Sequence, residues 1–138
     1  MKFQKLLYFL QNVGRDPSSL MQEDYLTGLK NRRFLLHYLK YAVNWDSIAE
    51  NPVSLLVVDI DYFKRINEQY GSGVGDQALV HVAGILKQVS GKDGIPVLSG
   101  GDEFMVLLPA MKKQNALILA SELIAHAAEN LFFSSDAG

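Results

Sequence analysis

Apolar and polar positions along the chain fall into helix-length and strand-length segments. Phe3, Leu6, Leu7, Leu10 and Val13 recur at helical spacing before Gly14 and Pro17 break the pattern. Residues 24–30 are turn-rich, and Asn31 is placed to N-cap a helix to about Asn44 with Phe34, Leu35, Tyr38, Leu39 and Ala42 as its buried stripe. Val53 to Val58 is a near-continuous, β-branched run that predicts a buried strand, reaching about Ile60. A short helix over about 62–69 and a glycine-rich loop at 71–75 follow. Leu79, Val82, Ala83, Leu86 and Val89 then mark an amphipathic helix, with Gly91 beyond its end. Ile95–Leu98 and Phe104–Leu108 read as a hairpin, and Leu117, Ala120, Leu123, Ile124 and Ala127 as the apolar stripe of a helix from about 113 to 129. Leu131 to Ser135 has the character to begin another strand. This order predicts an α+β fold, an antiparallel sheet with its helices on one face.

Candidate chemistry sits at two strand ends. Residues 99–104 read Ser-Gly-Gly-Asp-Glu-Phe between the two hairpin strands. Paired glycines there predict a tight turn with positive φ. A structural turn gains nothing from Asp102 beside Glu103, because adjacent like charges repel. Glycines that admit a phosphate, next to carboxylates that hold a divalent cation, point to a nucleotide–metal site. The 53–58 run ends in Asp59-Ile60-Asp61, and strand alternation puts the two aspartates on one face. If this strand lies beside the hairpin, Asp59 converges with Asp102 and Glu103 to hold one or two Mg²⁺. Paired metals roughly 3.5–4 Å apart suit in-line displacement at phosphorus. An ordinary strand end beside a solvated turn is the plain alternative.

The ordered motifs Asp24-Tyr25-Leu26-Thr27-Gly28-Leu29-Lys30-Asn31-Arg32-Arg33, Asp59 to Asn67, Gly71 to Asp76 and Gly100-Gly101-Asp102-Glu103-Phe104 resemble the GGDEF domain family, diguanylate cyclases that condense two GTP into cyclic di-GMP. The resemblance is dense over Asp24 to Leu108 and weak beyond. It implies a palm or ferredoxin-like nucleotide cyclase fold and catalytic roles for Asp59, Asp102 and Glu103. It further implies Mg²⁺ or Mn²⁺ held at Asp59, Ile60, Asp102 and Glu103. Asn67 and Asp76 would read the guanine edge, Phe63 and Lys64 would border the triphosphate, and Gly100 and Gly101 would let the backbone pass close to the nucleotide. Taken singly, without the ordered motifs, Asn67 reads better as a turn cap, Lys64 as a solvated charge and Asp76 as a helix start. The implied partners are GTP, a second copy of the chain for catalysis, and an N-terminal sensor region.

Departures from the family pattern sharpen the expectations. Ser72 stands where His is usual and Glu68 where Asp is usual, and Leu98 and Ser99 replace an Arg-aromatic pair. The product-inhibition motif would fall on Gly91-Lys92-Asp93-Gly94, which has no Arg, so no allosteric site of the usual kind is expected. Family members continue through a further strand, hairpin and helix carrying phosphate-binding Lys and Arg, so truncation at the C-terminus and weak activity are expected. Residues 1–20 are expected as a leading helix or signalling-linker stub, and 21–138 as the GGDEF domain.

Composition trims the alternatives. The length of 138 residues supports one domain, and a net charge of −2 excludes a strongly basic nucleic-acid surface. The absence of cysteine excludes disulfides and fits a reducing cytoplasm. Leu6 to Leu10 is too short to span a bilayer. His37, His81 and His126 have no metal-site spacing and are expected to be structural, as are Tyr41 and Trp45, packed near a helix end. Two further functions share these features: a non-catalytic GGDEF module that binds GTP or a protein partner, and another palm-type nucleotidyl cyclase or polymerase-like enzyme. The latter does not predict the Asn67 and Asp76 pair.

Overall fold

The computed structural model describes residues 22–130; the helix expected over 1–13 and the strand expected at 131–135 lie outside them. The turn at 24–30 is closed by Asp24, whose Oδ2 accepts hydrogen bonds from Thr27 N at 2.8 Å and Thr27 Oγ1 at 2.7 Å. Gly28 follows at φ 73°, where a side chain would be strained. Lys87 Nζ donates to the Thr27 carbonyl at 2.8 Å and ties this turn to a distant helix.

Strand β1 (Lys30–Asn31) leads directly into α1 (Arg32–Tyr41), and Asn31 is its N-cap, accepting from Phe34 N at 3.1 Å. The helix stops short of Asn44 because Asn44 caps the next element: its side chain accepts from Asp46 N at 3.1 Å to start a 3₁₀ turn, Trp45–Ser47. Tyr41 and Trp45 are mostly exposed rather than packed, although Trp45 Nε1 donates to the Leu39 carbonyl at 2.8 Å. The remaining elements are β2 (Ser54–Asp59), α2 (Phe63–Tyr70), α3 (Ser72–Ser90), β3 (Ile95–Leu98), β4 (Glu103–Leu108) and α4 (Lys113–Glu129). The expected glycine-rich loop is largely helix: α3 starts at Ser72, and Gly71, at φ 89°, is the link from α2.

The sheet order is β1-β3-β4-β2. β4 pairs antiparallel with β2 and β3, and short β1 adds to β3 in parallel. The architecture is the expected α+β one, but helices cover both faces of the sheet rather than one. β4 explains this, since it is apolar on both sides and each side needs cover. Phe104, Val106 and Leu108 join Leu79, Ala83 and Leu86 of α3 and Ala116 of α4 in the main core. Leu107 and Val97 instead pack with Leu35 of α1, and Met105 lies against that second cluster.

Two packing expectations are corrected. β2 is not buried on both faces: Leu56 and Val58 face the main core, while Leu55 and Val57 are 41% and 59% exposed. α1 covers the other face chiefly over β3 and β4, and β2 lies at the sheet edge among the described residues. The apolar stripe of α4 is also rotated. Ala116, Leu119 and Leu123 face the core, whereas Leu117 and Ile124 point outward. Ile124, with Ala120 and Ala127, instead borders a groove of about 410 Å³ along β2.

One backbone position offers a clean stability test. Ala110, exposed after β4, sits at φ 54°. An L-residue held there loses about 1–2 kcal/mol, more than the ~0.4–1 kcal/mol that glycine's unfolded-chain entropy would take back. Ala110→Gly is therefore expected to stabilise the domain by about 0.5–1 kcal/mol, read as a higher urea midpoint at unchanged slope. A lower midpoint would refute the strain.

Candidate active site

The site lies where β2 and β4 end together. Antiparallel register places Asp59, the last residue of β2, opposite Glu103, the first of β4. Directly opposed residues bring their Cβ atoms to about 4.5–5.5 Å. Two carboxylates so placed repel unless a cation lies between them. Asp59 is exposed and Glu103 half-buried, so the pair opens to solvent. Asp102, also half-buried, stands in the turn beside Glu103 rather than in the ladder.

The turn itself departs from expectation. Neither Gly100 nor Gly101 has a positive φ, so the expected primed turn is absent. Ser99 organises the connection instead. Its N–H donates to the Glu103 carbonyl at 2.9 Å, and its Oγ donates to the same carbonyl at 3.2 Å and to Glu103 Oε1 at 3.1 Å. The residue that departs from the family pattern thus orients one of the carboxylates. A side-chain donor three positions before Asp102 was the available signal. A Cβ added at Gly101 would meet nothing within 4 Å, and one at Gly100 only Glu103 Cβ at 3.7 Å. Backbone strain therefore does not require these glycines. Their smallness keeps the turn surface open beside the carboxylates.

Beyond β2 the chain turns sharply through Tyr62, which adopts the left-handed conformation at φ 61° with Arg65 over its ring at 5.6 Å. Non-glycine residues held there concentrate at functional corners. Ile60 and Phe63 pack their side chains against the main core, so their backbone groups are the only polar atoms either residue has to offer a ligand. Phe63 and Lys64 form the first turn of α2, whose N-terminus has no side-chain cap. Uncapped N–H groups at a helix start suit an anion. Lys64 is exposed and lies 3.9 Å from Glu68, a surface pair of little energetic weight that leaves the ammonium available.

Asn67 is half-buried near the end of α2, and its carbonyl accepts from Gly71 N at 2.9 Å. Its side chain lies against Gly75 on α3, next to exposed Asp76. The α2–α3 packing thus sets the Asn67 side chain against the residue that precedes Asp76. His81 and His126 make local contacts, to the Asn130 carbonyl at 2.7 Å and to Gln88 Oε1 at 3.2 Å.

No three His, Asp or Glu side chains among the described residues form a metal-holding group. Mg²⁺ does not require one: it keeps several waters and is held by one or two carboxylates together with substrate phosphates. Asp59 opposite Glu103 supplies that donor chemistry.

Comparison with known proteins agrees with this layout. Residues 21–136 match the family described as diguanylate cyclase, GGDEF domain. The chain is 34% identical over 124 residues to the response regulator PleD of Caulobacter vibrioides, covering 90% of this chain and 27% of that protein. It is 36% identical over 100 residues to diguanylate cyclase DgcM of Escherichia coli K12, covering 72% of this chain and 24% of that protein. The chain thus spans about a quarter of the length of these curated relatives. Among solved structures, the GGDEF domain of DgcB from Caulobacter crescentus, in complex with c-di-GMP, superposes with a TM-score of 0.76 at 26% identity, covering 90% of this chain and 70% of that one. Diguanylate cyclase SiaD of Pseudomonas aeruginosa, solved with its activator SiaC, gives 0.70 at 29% identity, covering 91% and 47%. With the strand-end carboxylates Asp59 and Glu103 opposed in one such fold, the match over residues 21–136 establishes that the chain belongs to the GGDEF family of diguanylate cyclase domains.

Proposed function

We propose that this chain is the catalytic unit of a diguanylate cyclase, residues 21–138 forming the GGDEF domain and residues 1–20 leading from a sensor region. The observation that carries the reading is the register of Asp59 against Glu103 beside the open Gly100–Gly101 turn. Asp59 and Glu103, with the Ile60 carbonyl and Asp102, would hold Mg²⁺ or Mn²⁺. When bound, the metal supplies charge neutralisation of the triphosphate and of the leaving pyrophosphate. Asn67 and Asp76 orient guanine, matching its acceptors and donors with an amide and a carboxylate. Lys64 and the first N–H groups of α2 border the phosphates.

Each subunit holds one GTP, so two copies must face each other. The 3′-oxygen of one nucleotide bonds to the α-phosphorus of the other, the bond from α-phosphorus to the pyrophosphate oxygen breaks, and pyrophosphate leaves. Asp102 or Glu103 takes the hydroxyl proton. Two such transfers close the ring. Positioning and electrostatics supply most of the catalysis in phosphoryl transfer. No helix among the described residues is long and apolar enough to cross a membrane, which is compatible with work in the cytoplasm on soluble GTP.

A GTP-binding regulatory module without turnover is the second reading, favoured by a strand register that pairs Asp59 with Glu103 and leaves Asp102 in the turn. SiaD, solved with a protein activator, supports a partner-controlled variant of either reading. The test incubates the chain and an Asp102→Ala, Glu103→Ala variant with GTP and Mg²⁺ or Mn²⁺, with mass spectrometry of products. Cyclic di-GMP or its linear intermediate from the unaltered chain alone is expected. Metal-dependent GTP binding without product would point to the module or to an incomplete enzyme, and absence of binding would overturn both readings.

A further inference from the structure

Gly75 is an anomaly within α3. It is buried and helical, and its φ is not positive, so its backbone does not call for glycine. Glycine inside a helix is ordinarily less stable than alanine. The neighbours supply the reason. A Cβ at Gly75 would overlap Asn67 Oδ1, lie 2.8 Å from Asn67 Cγ and 3.3 Å from Nδ2. Gly73 and Gly84 share the helix, and a Cβ at either would meet nothing within 4 Å. The requirement is specific to position 75, and it is imposed by the Asn67 side chain.

The way such a collision would resolve is also visible. The Asn67 backbone is fixed, because its carbonyl accepts from Gly71 N at the end of α2. The obstructing atoms are the tip of a side chain rather than backbone. A methyl group at 75 would therefore turn the amide aside and leave the helices in place.

We infer that Gly75 is a specificity-setting positioning residue: the absence of its Cβ creates the recess that aims the Asn67 amide, next to Asp76, at the guanine edge. This inference rests on the GTP-binding reading above. It makes nucleobase selection depend on a residue that carries no functional group.

The test measures GTP and ATP binding by calorimetry, with Mg²⁺ present, for the full chain and for Gly75→Ala, Gly84→Ala, Asn67→Ala and the Gly75→Ala, Asn67→Ala pair, with nucleotide-free thermal unfolding of each. Gly84→Ala is expected to bind as the unaltered chain does. Gly75→Ala is expected to stay folded and to lose about tenfold or more in GTP affinity, as Asn67→Ala does, the scale of a lost hydrogen bond to a base edge. The GTP-over-ATP preference falls in both, a change that a general loss of stability would not produce. The pair is expected to bind no worse than Asn67→Ala alone, because both changes remove one interaction. If Gly75→Ala unfolds early, recovery of stability in the pair sustains the collision, and absence of recovery overturns it. Normal GTP binding by Gly75→Ala alongside weak binding by Asn67→Ala overturns the inference and leaves the functional reading standing. Normal binding by Asn67→Ala removes the role of Asn67 and the inference with it. An unaltered chain that does not bind GTP overturns the functional reading itself.

Discussion

Asp59→Asn is expected to abolish metal-dependent function while making the metal-free domain slightly more stable. The two effects have one cause. Asp59 faces Glu103 across the β2–β4 ladder, and like charges directly opposed in a sheet destabilise it by about 0.2–1 kcal/mol. An amide of the same shape removes that repulsion, and because Asp59 is exposed the exchange disturbs no packing. The same amide is a poor ligand for a hard cation, which takes charged oxygen. Loss of one preorganised electrostatic partner costs on the order of 10²–10³ in turnover. Thermal unfolding separates the effects. Nucleotide with Mg²⁺ at about 100 times its Kd should stabilise the unaltered chain by roughly 2.7 kcal/mol and leave the variant near its own baseline. A variant that still responds to Mg²⁺ and GTP, or that is less stable without them, would show that the opposed carboxylates are not the metal-binding pair.

The sequence was legible where one physical requirement dominated. Asn31 caps α1 because a side-chain acceptor stands before a helical stripe, and that stripe, apart from Ala42, is the one that packs. Asp59 and Glu103 converge because their strands pair, a possibility the motifs raised and only the register could settle. Legibility failed where several solutions satisfied the same pattern. α4 runs Ala116-Leu117-Ile118-Leu119-Ala120 and is apolar nearly all round, so spacing could not set which side faces the core. β2 reads as buried because Leu55 and Val57 are apolar, yet burial depends on which helices reach the sheet edge. Gly100-Gly101 reads as a positive-φ turn because that is glycine's commonest use, whereas Ser99 closes the connection without it. The contact between Gly75 and Asn67 spans two helices and leaves no trace in local spacing.

Phe104→Ala is expected to destabilise the domain more than any change at the polar site. Phe104 is fully buried and stands opposite Val58 on one side and Leu98 on the other, so it fastens β4 to both its neighbours. It also belongs to the core shared with Leu86 of α3 and Ala116 of α4. Truncating a buried Phe costs about 3–5 kcal/mol in transfer and cavity terms, a large share of the roughly 5–15 kcal/mol available to a domain. Its place in the chain gives that loss a functional reach. Glu103 precedes it directly, and Ser99 bonds to Glu103, so the site carboxylate is held on a strand end that Phe104 anchors. Phe104→Leu keeps most of the volume and is expected to lose less than about half as much, retaining a folded domain that still responds to Mg²⁺ and GTP. Urea unfolding of the three proteins, with and without nucleotide, measures both. A graded loss from Phe to Leu to Ala, with the nucleotide response surviving wherever the fold survives, identifies the last residue of the motif as the anchor of its chemistry. Equal midpoints for all three would mean that this ring does not hold the strand end in place.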